Sequence, residues 1–153
     1  FQQFAAGVAE RGLETRPFWM QGCSPRTTGL ARNLAHGLLR LEERPNALLI
    51  LDDSLVEAGT AGLVDAGTSI PTQLELVAHC NYPYVTPSAV PAKRLGFDVA
   101  AILRLALEVI DRRRRGETVP RTAYVAPLFD HEHAGETSAR NAAVVPETDE
   151  CVT

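Results

Sequence analysis

Three short polar segments follow apolar runs in this sequence, and they hold the residues best suited to bind a small polar molecule. Carboxylates accept hydrogen bonds from hydroxyl groups, an amide both donates and accepts, and an arginine presents a planar fork of donors. Such a set suits a hydroxyl-rich or anionic ligand. The candidate contacts in residues 22–26, 52–54 and 80–82 are Ser24, Arg26, Asp52, Asp53, Cys80 and Asn81.

The adjacent carboxylates Asp52 and Asp53 also have a purely structural interpretation. They follow the apolar run 47–51 and precede a helical pattern, so either can cap the N-terminus of that helix. Capping needs only one of them, which leaves the other for a ligand. A catalytic pair of carboxylates would need a second acid facing the first, and the sequence identifies none.

The other candidates have alternatives as well. Cys80 can be a small buried hydrophobe, which is the commonest fate of a cysteine. A catalytic thiol would depend on the adjacent His79, but neighbours along a strand face opposite sides, which argues against such a dyad. Arg26 can equally be a solvated surface residue.

Metal and cofactor sites are not expected. The sequence His131-Glu132-His133 has metal-ligating residue types, but its spacing fits no common site and it opens a polar segment. Glycine-rich phosphate-binding motifs and the nucleophile motif of hydrolases do not occur. We therefore expect no cofactor, no metal and no enzymatic activity.

Helical and strand patterns alternate along the chain. Helices are predicted over residues 1–13, 27–43, 53–66 and 97–113, and strands over 17–20, 47–51, 74–79, 89–93 and 122–128. This alternation predicts an α/β fold with a mostly parallel sheet and helices on both faces. Ligands of such sheets bind beyond the carboxyl ends of the strands, where the three polar segments are expected. The predicted domain covers residues 1–129, followed by a polar C-terminal tail of low order over 130–153.

Composition excludes several classes of protein. The chain has 153 residues and a net charge of −4, so we do not expect it to bind nucleic acid by itself. Its three cysteines are widely spaced, which argues against a disulfide framework and favours a cytoplasmic location. No apolar stretch is long enough to span a membrane.

The segment 45–81 resembles the effector-binding domain of LacI-family transcription regulators. The family pattern is an apolar strand, an Asn-Asp pair, a helix of small residues, a glycine, a proline, a second apolar strand and Gly-Phe-Asp. The matching positions here are the strand 47–51, Asp52-Asp53, the helix 54–64, Gly67, Pro71, the strand 74–77 and Ala78-His79-Cys80. The resemblance extends over residues 1–130, and residues 79–98 look closest to regulators with a GntR-type winged-helix module.

This resemblance implies the periplasmic-binding-protein type I fold, in which two α/β lobes hold an effector between them. The chain would be mainly the C-terminal lobe, and Lys93 would lie near the crossover to the other lobe as a further ligand-binding candidate. Asp52, Asp53 and Asn81 are expected to converge at one rim. Asp52 replaces the family asparagine and Cys80 the family aspartate, so the resemblance does not determine the effector class.

The expected function is therefore effector sensing, for a sugar or similar polar ligand, within a bacterial DNA-binding transcription regulator. The expected partners are a small-molecule effector and a second copy in a homodimer, with DNA bound only through a module outside this chain. One alternative is a periplasmic solute-binding protein that delivers a sugar to a transporter. The other is a small α/β enzyme such as a sugar hydrolase or isomerase.

Overall fold

The computed structural model describes residues 1–24 and 27–136 of the chain. Five helices and four strands are formed in this part. The helices are α1 (Gln2–Glu10), α2 (Thr28–Leu38), α3 (Val56–Asp65), α4 (Val99–Arg114) and α5 (Asp130–Glu136). The strands are β1 (Ala47–Ile50), β2 (Glu75–Tyr82), β3 (Lys93–Asp98) and β4 (Leu128–Phe129).

The four strands are hydrogen-bonded in the order β1-β2-β3-β4. β1 and β2 are parallel, with a register that runs from Ala47 opposite Glu75 to Ile50 opposite Ala78. β4 pairs antiparallel with β3, with Leu95 opposite Phe129 and Gly96 opposite Leu128. β1, α3 and β2 thus form a β-α-β unit, and the predicted α/β class with a mostly parallel sheet is confirmed.

Contacts between residues divide the chain into two compact units. Unit 1 consists of Phe1–His79 and Thr86–Lys93. Unit 2 consists of Cys80–Val85 and the chain from Arg94 onward. The boundary falls within β2 and within β3, and each unit is described here by itself.

The core of unit 1 lies between α2, α3 and the first two strands. The buried side chains of this core are Ala35, Leu39, Leu63, Leu74 and Leu76. Gly62 lets the two helices approach closely, because a Cβ atom there would overlap the carbonyl oxygen of Arg32. The Arg32 guanidinium donates to both carboxylate oxygens of Asp65, at 2.6 and 2.9 Å. These hydrogen bonds hold the pKa of Asp65 below its ordinary value.

A buried hydroxyl connects α3 to a loop of the same unit. The side chain of Thr60 is fully buried, and its Oγ1 donates to the carbonyl oxygen of Val56 at 2.7 Å. The same oxygen accepts from the backbone N–H of Ala89 at 3.0 Å. Because unmade hydrogen bonds are costly in a core, this hydroxyl fixes the loop against the helix.

Unit 2 contains α4, β4, α5 and the last residues of β2. Asp98 caps α4, and its Oδ1 accepts from the backbone N–H of Ala101 at 3.0 Å. Leu105 is the buried residue of this helix. Gly96 approaches β2 closely, because a Cβ atom there would overlap the carbonyl oxygen of Cys80. A glycine is therefore required at this strand contact.

Several predicted elements differ from those observed. The predicted strand 17–20 is wrong, because Pro17–Trp19 forms a 3-10 turn that begins with proline. The indole N–H of Trp19 donates to the carbonyl oxygen of Glu43 at 2.8 Å, and this bond anchors the turn. The predicted helix 27–43 ends earlier, at Leu38, and residues 39–44 form turns.

The C-terminal part also departs from the prediction. The strand predicted at 89–93 begins at Lys93 instead and continues to Asp98. Only Leu128 and Phe129 form a strand where 122–128 was predicted. The polar segment opens with the short helix α5, in which the Glu132 carboxylate accepts from the backbone N–H of Phe129 at 2.8 Å. Residues 137–153 lie outside the described part, and the boundary at 129 stays a prediction.

Substituting Gly62 by alanine tests the α2–α3 contact. The added methyl group must push the two helices apart, and overpacking of this kind costs about 1–3 kcal/mol of unfolding free energy. Gly37→Ala is the matched control, because no atom lies within 4 Å of the position its Cβ would take. That change should be neutral or stabilising by up to about 1 kcal/mol. Urea unfolding measures both variants, and equal stabilities would contradict the close approach.

Candidate functional site

The polar turn at residues 52–55 connects β1 to α3. Asp52 has an extended backbone and caps the 3-10 turn Asp53–Leu55, which continues directly into α3. Its Oδ1 accepts from the backbone N–H of Ser54 at 3.0 Å and from the Ser54 hydroxyl at 2.6 Å. Asp52 and Asp53 are both half-buried and Ser54 is exposed. The structure therefore assigns the cap to Asp52, while Asp53 occupies the first turn.

Cys80 and Asn81 lie within β2, whereas the sequence predicted them to follow a strand that ends at His79. Cys80 is fully buried and Asn81 is half-buried. Beyond Asn81 the chain turns back, and Asn81 forms an antiparallel bridge with Tyr84. The burial of Cys80 favours its interpretation as a core residue. Effector contacts by either residue stay predictions.

The remaining candidates lie at the surface or outside the described residues. Ser24 is exposed, and its carbonyl oxygen accepts from the backbone N–H and the hydroxyl of Thr27 at 2.9 and 3.1 Å. Lys93 forms an ion pair of 2.8 Å with Glu75, and both side chains are at least half exposed. Exposed pairs of this kind contribute about 0–1 kcal/mol. Arg26 lies outside the described residues.

The structure brings some of these candidates together. Asp52, Asp53 and the Ser54 hydroxyl form one polar turn in unit 1, and Cys80 and Asn81 are neighbours in unit 2. The expected convergence of Asp52, Asp53 and Asn81 at one rim stays a prediction, because the two groups belong to different units. The turn in unit 1 is the candidate site with the better defined geometry.

Tyr82 and His133 form a contact that sequence reasoning missed. Tyr82 is buried at the end of β2, and its hydroxyl lies 3.4 Å from the carbonyl oxygen of Arg94, to which it donates. The His133 ring stacks on the Tyr82 ring with centroids 4.2 Å apart. Burial raises the pKa of the Tyr82 hydroxyl. The available sequence signal was the side-chain alternation of period two, which continues past the predicted end of the strand through Cys80 to Tyr82.

The histidines of residues 131–133 take part in ring contacts. The His131 ring stacks on Phe129 at a centroid distance of 5.7 Å, as His133 stacks on Tyr82. In the described part of the chain, no group of three or more metal-ligating side chains is placed to hold an ion. In the same part, no helix is long and apolar enough to cross a membrane.

An apolar groove of about 510 Å³ lies along α4 in unit 2. None of the candidate site residues lines it, so it does not belong to the polar turn. Its lining is hydrophobic apart from the tyrosine hydroxyl, and a sugar would find few hydrogen-bonding groups there. The residues around it are Phe97, Ile102, Leu105, Ala106, Val109, Ile110, Ala123, Tyr124 and Val125.

The fold is that of a periplasmic-binding-protein type of α/β domain. Residues 1–128 match the periplasmic binding protein-like domain family, and the chain belongs to this family. No curated protein matches the chain.

Two solved regulators have a similar fold. A LacI family transcriptional regulator from Bifidobacterium animalis subsp. lactis is 19% identical with a TM-score of 0.66, over 96% of this chain and 49% of that one. A LacI regulator from Lactobacillus casei with bound Tris is 17% identical with a TM-score of 0.65, over 84% of this chain and 46% of that one. The chain thus spans about half the length of these regulators. The fold implied by the LacI-family resemblance is confirmed.

Asp52→Ala should remove the cap of the turn. The loss of such a cap costs about 1 kcal/mol of unfolding free energy. Asp52→Asn is the matched control, because an amide oxygen can still accept the hydrogen bond from the backbone N–H of Ser54. Chemical unfolding measures both variants. If Asp52→Asn were destabilised as much as Asp52→Ala, the capping role of Oδ1 would be refuted.

Proposed function

We propose that the chain is the effector-sensing part of a bacterial DNA-binding transcription regulator, and that its effector is a sugar or a similar small polar molecule. The observation that carries this proposal is the family match over residues 1–128, together with a fold shared with two LacI regulators. The polar turn at the carboxyl end of β1 lies where parallel α/β sheets bind ligands. No covalent chemistry is required for this role.

The chemistry of the turn supports a hydroxyl-rich effector. Asp53 lies half-buried in the first turn, and the exposed Ser54 hydroxyl lies beside it. A carboxylate accepts hydrogen bonds from sugar hydroxyls, and the serine hydroxyl, which donates its proton to Asp52, can still accept one. Asp52 orients this serine, because its Oδ1 accepts from both Ser54 donors. We assign Asp53 as a direct contact and Asp52 as the residue that positions the turn.

The other candidate residues are supported to different degrees as effector contacts. Asn81 offers an amide donor and an acceptor on a half-buried strand position and is retained as a contact. Ser24 and Arg26 are retained as the contacts that the sequence predicts. Lys93 contacts Glu75, so binding an effector would require it to leave that pair. Cys80 is fully buried and would shape the site only indirectly.

The Lactobacillus casei regulator was solved with bound Tris. Tris carries three hydroxyl groups and an ammonium group, so a carboxylate is a suitable acceptor for either. This supports testing polyols and amino sugars beside neutral sugars.

Signalling would follow from a shift in the populations of two arrangements of the protein. An effector that binds one arrangement of the protein better than another biases the protein towards that arrangement. In the proposed regulator, two copies would form a homodimer and DNA would be bound by a separate module in the cytoplasm. The effector would thereby change the geometry of the DNA-binding modules without any catalytic step.

A thermal-shift screen with sugars, polyols and amino sugars tests the proposal. A ligand present at 100 times its Kd stabilises the folded protein by about 2.7 kcal/mol. Asp53→Ala should abolish most of this stabilisation, because a contact to the ligand hydroxyls is lost. The matched control is Glu108→Ala, which removes the same charge from an exposed position on α4. Ligand stabilisation that is equal in wild type and Asp53→Ala would refute the assigned contact.

A further inference from the structure

A buried threonine in α3 joins two parts of unit 1 that are distant in the sequence. The side chain of Thr60 is fully buried, and its hydroxyl oxygen lies 2.7 Å from the carbonyl oxygen of Val56 and 3.1 Å from that of Glu57. The same oxygen accepts from the backbone N–H of Ala89 at 3.0 Å. One side-chain atom therefore contacts both the first turn of α3 and the irregular segment that precedes β3.

The first turn of α3 continues the polar turn at residues 52–55 without interruption. The backbone N–H of Leu55 donates to the carbonyl oxygen of Asp52 at 3.1 Å, and Leu55 is the N-cap residue of α3. Val56 is the first helical residue, and its side chain is fully buried. The carbonyl group that accepts from Thr60 thus belongs to the residue directly after the polar turn.

The Thr60 hydroxyl has one proton and two carbonyl acceptors within reach. The shorter distance assigns the proton to Val56, and the carbonyl of Glu57 is the alternative acceptor. When a hydroxyl changes its acceptor, the lone pairs of its oxygen turn with the O–H bond. Hydrogen bonds that share a hydroxyl also strengthen each other. A shift of the first turn that moves the proton towards Glu57 therefore weakens the hydrogen bond from Ala89.

The segment that contains Ala89 lies between two stretches of unit 2 in the sequence. Unit 1 includes Thr86–Lys93, and the chain immediately before and after this segment belongs to unit 2. Apart from Lys93, which begins β3, the segment forms no helix or strand. Val90 and Ala92 pack against the core of unit 1. Because the backbone is continuous, a displacement of this segment is passed to the residues on either side of it.

We propose that Thr60 is a positioning residue that couples the polar turn at residues 52–55 to the segment 86–93. A ligand that orders the turn fixes the Val56 carbonyl, strengthens the hydrogen bond from Ala89 and holds the segment against α3. Coupling of this kind is reciprocal, so loss of the hydrogen bond also weakens binding at the turn. The inference rests on the proposed function for the identity of the ligand, but the coupling itself is present without one.

Amide hydrogen exchange at Ala89, followed by NMR on the whole chain without ligand, tests the coupling. Asp52→Ala removes the cap of the polar turn and should raise the exchange rate of the Ala89 amide about threefold or more, because the acceptor of Thr60 is loosened. Asp52→Asn keeps the accepting oxygen and should leave this rate unchanged. An Ala89 rate that is the same in the wild type and in Asp52→Ala would overturn the proposal.

Variants of Thr60 separate the coupling from a merely structural role. Thr60→Val has the same shape without the hydroxyl, so the Ala89 amide should exchange about tenfold faster, and Asp52→Ala should raise the rate no further. Thr60→Ser keeps the hydroxyl and should restore the response to Asp52→Ala. A response to Asp52→Ala that persists in Thr60→Val would overturn the proposal. Far-UV circular dichroism checks folding, and the two Asp52 variants decide the question if Thr60→Val does not fold.

A variant at the other end of α3 is the control for a general loss of stability. Arg32→Ala removes the ion pair with Asp65 and should leave the Ala89 exchange rate unchanged. Equal responses to Arg32→Ala and Asp52→Ala would overturn the coupling.

The exchange experiment uses no ligand, so it separates the two proposals. The expected response of Ala89, combined with no stabilisation in the thermal-shift screen, would support the coupling without the proposed effector site. Ligand stabilisation that depends on Asp53, combined with an Ala89 rate that does not respond to Asp52→Ala, would refute the coupling alone.

Discussion

The close packing of α3 against α2 is the constraint on which the candidate site depends. Gly62 has no side chain, and the space of its missing Cβ is taken by the backbone of Arg32. This contact, with the buried Leu63 and the ion pair between Arg32 and Asp65, fixes the axis of α3 in unit 1. Because the polar turn leads directly into α3, the helix fixes the position of Asp53 and Ser54. A site on such a turn is preorganised by the core beneath it.

The sequence was sufficient for the β-α-β unit because that unit is encoded by local patterns. The apolar run 47–51 has no polar alternation, as expected for a parallel strand covered on both faces. Gly67 has a positive φ of 69° just after α3 and ends this helix as a C-terminal glycine does. The turn Pro17–Trp19 was not predictable, because its apolar residues resemble a strand. Its anchor is the bond from Trp19 to the distant Glu43.

For the candidate site, the residue types could be predicted from the sequence, but the role of each aspartate could not. Either Asp52 or Asp53 satisfied the sequence pattern of a helix cap. The choice depends on the extended backbone of Asp52, which directs its Oδ1 to both donors of Ser54. Likewise, β2 extends to Tyr82 because Cys80 and Tyr82 continue its buried face. Periodicity alone does not show where a strand ends when its last residues are polar or aromatic.

The apolar pattern of α4 illustrates a further limit of periodicity. Periodicity predicted a helix over residues 97–113, but it does not show which side is covered: the structure buries Leu105 and leaves Leu107 exposed on another side. Large exposed apolar patches are rare on the surfaces of monomeric proteins, because such patches favour association.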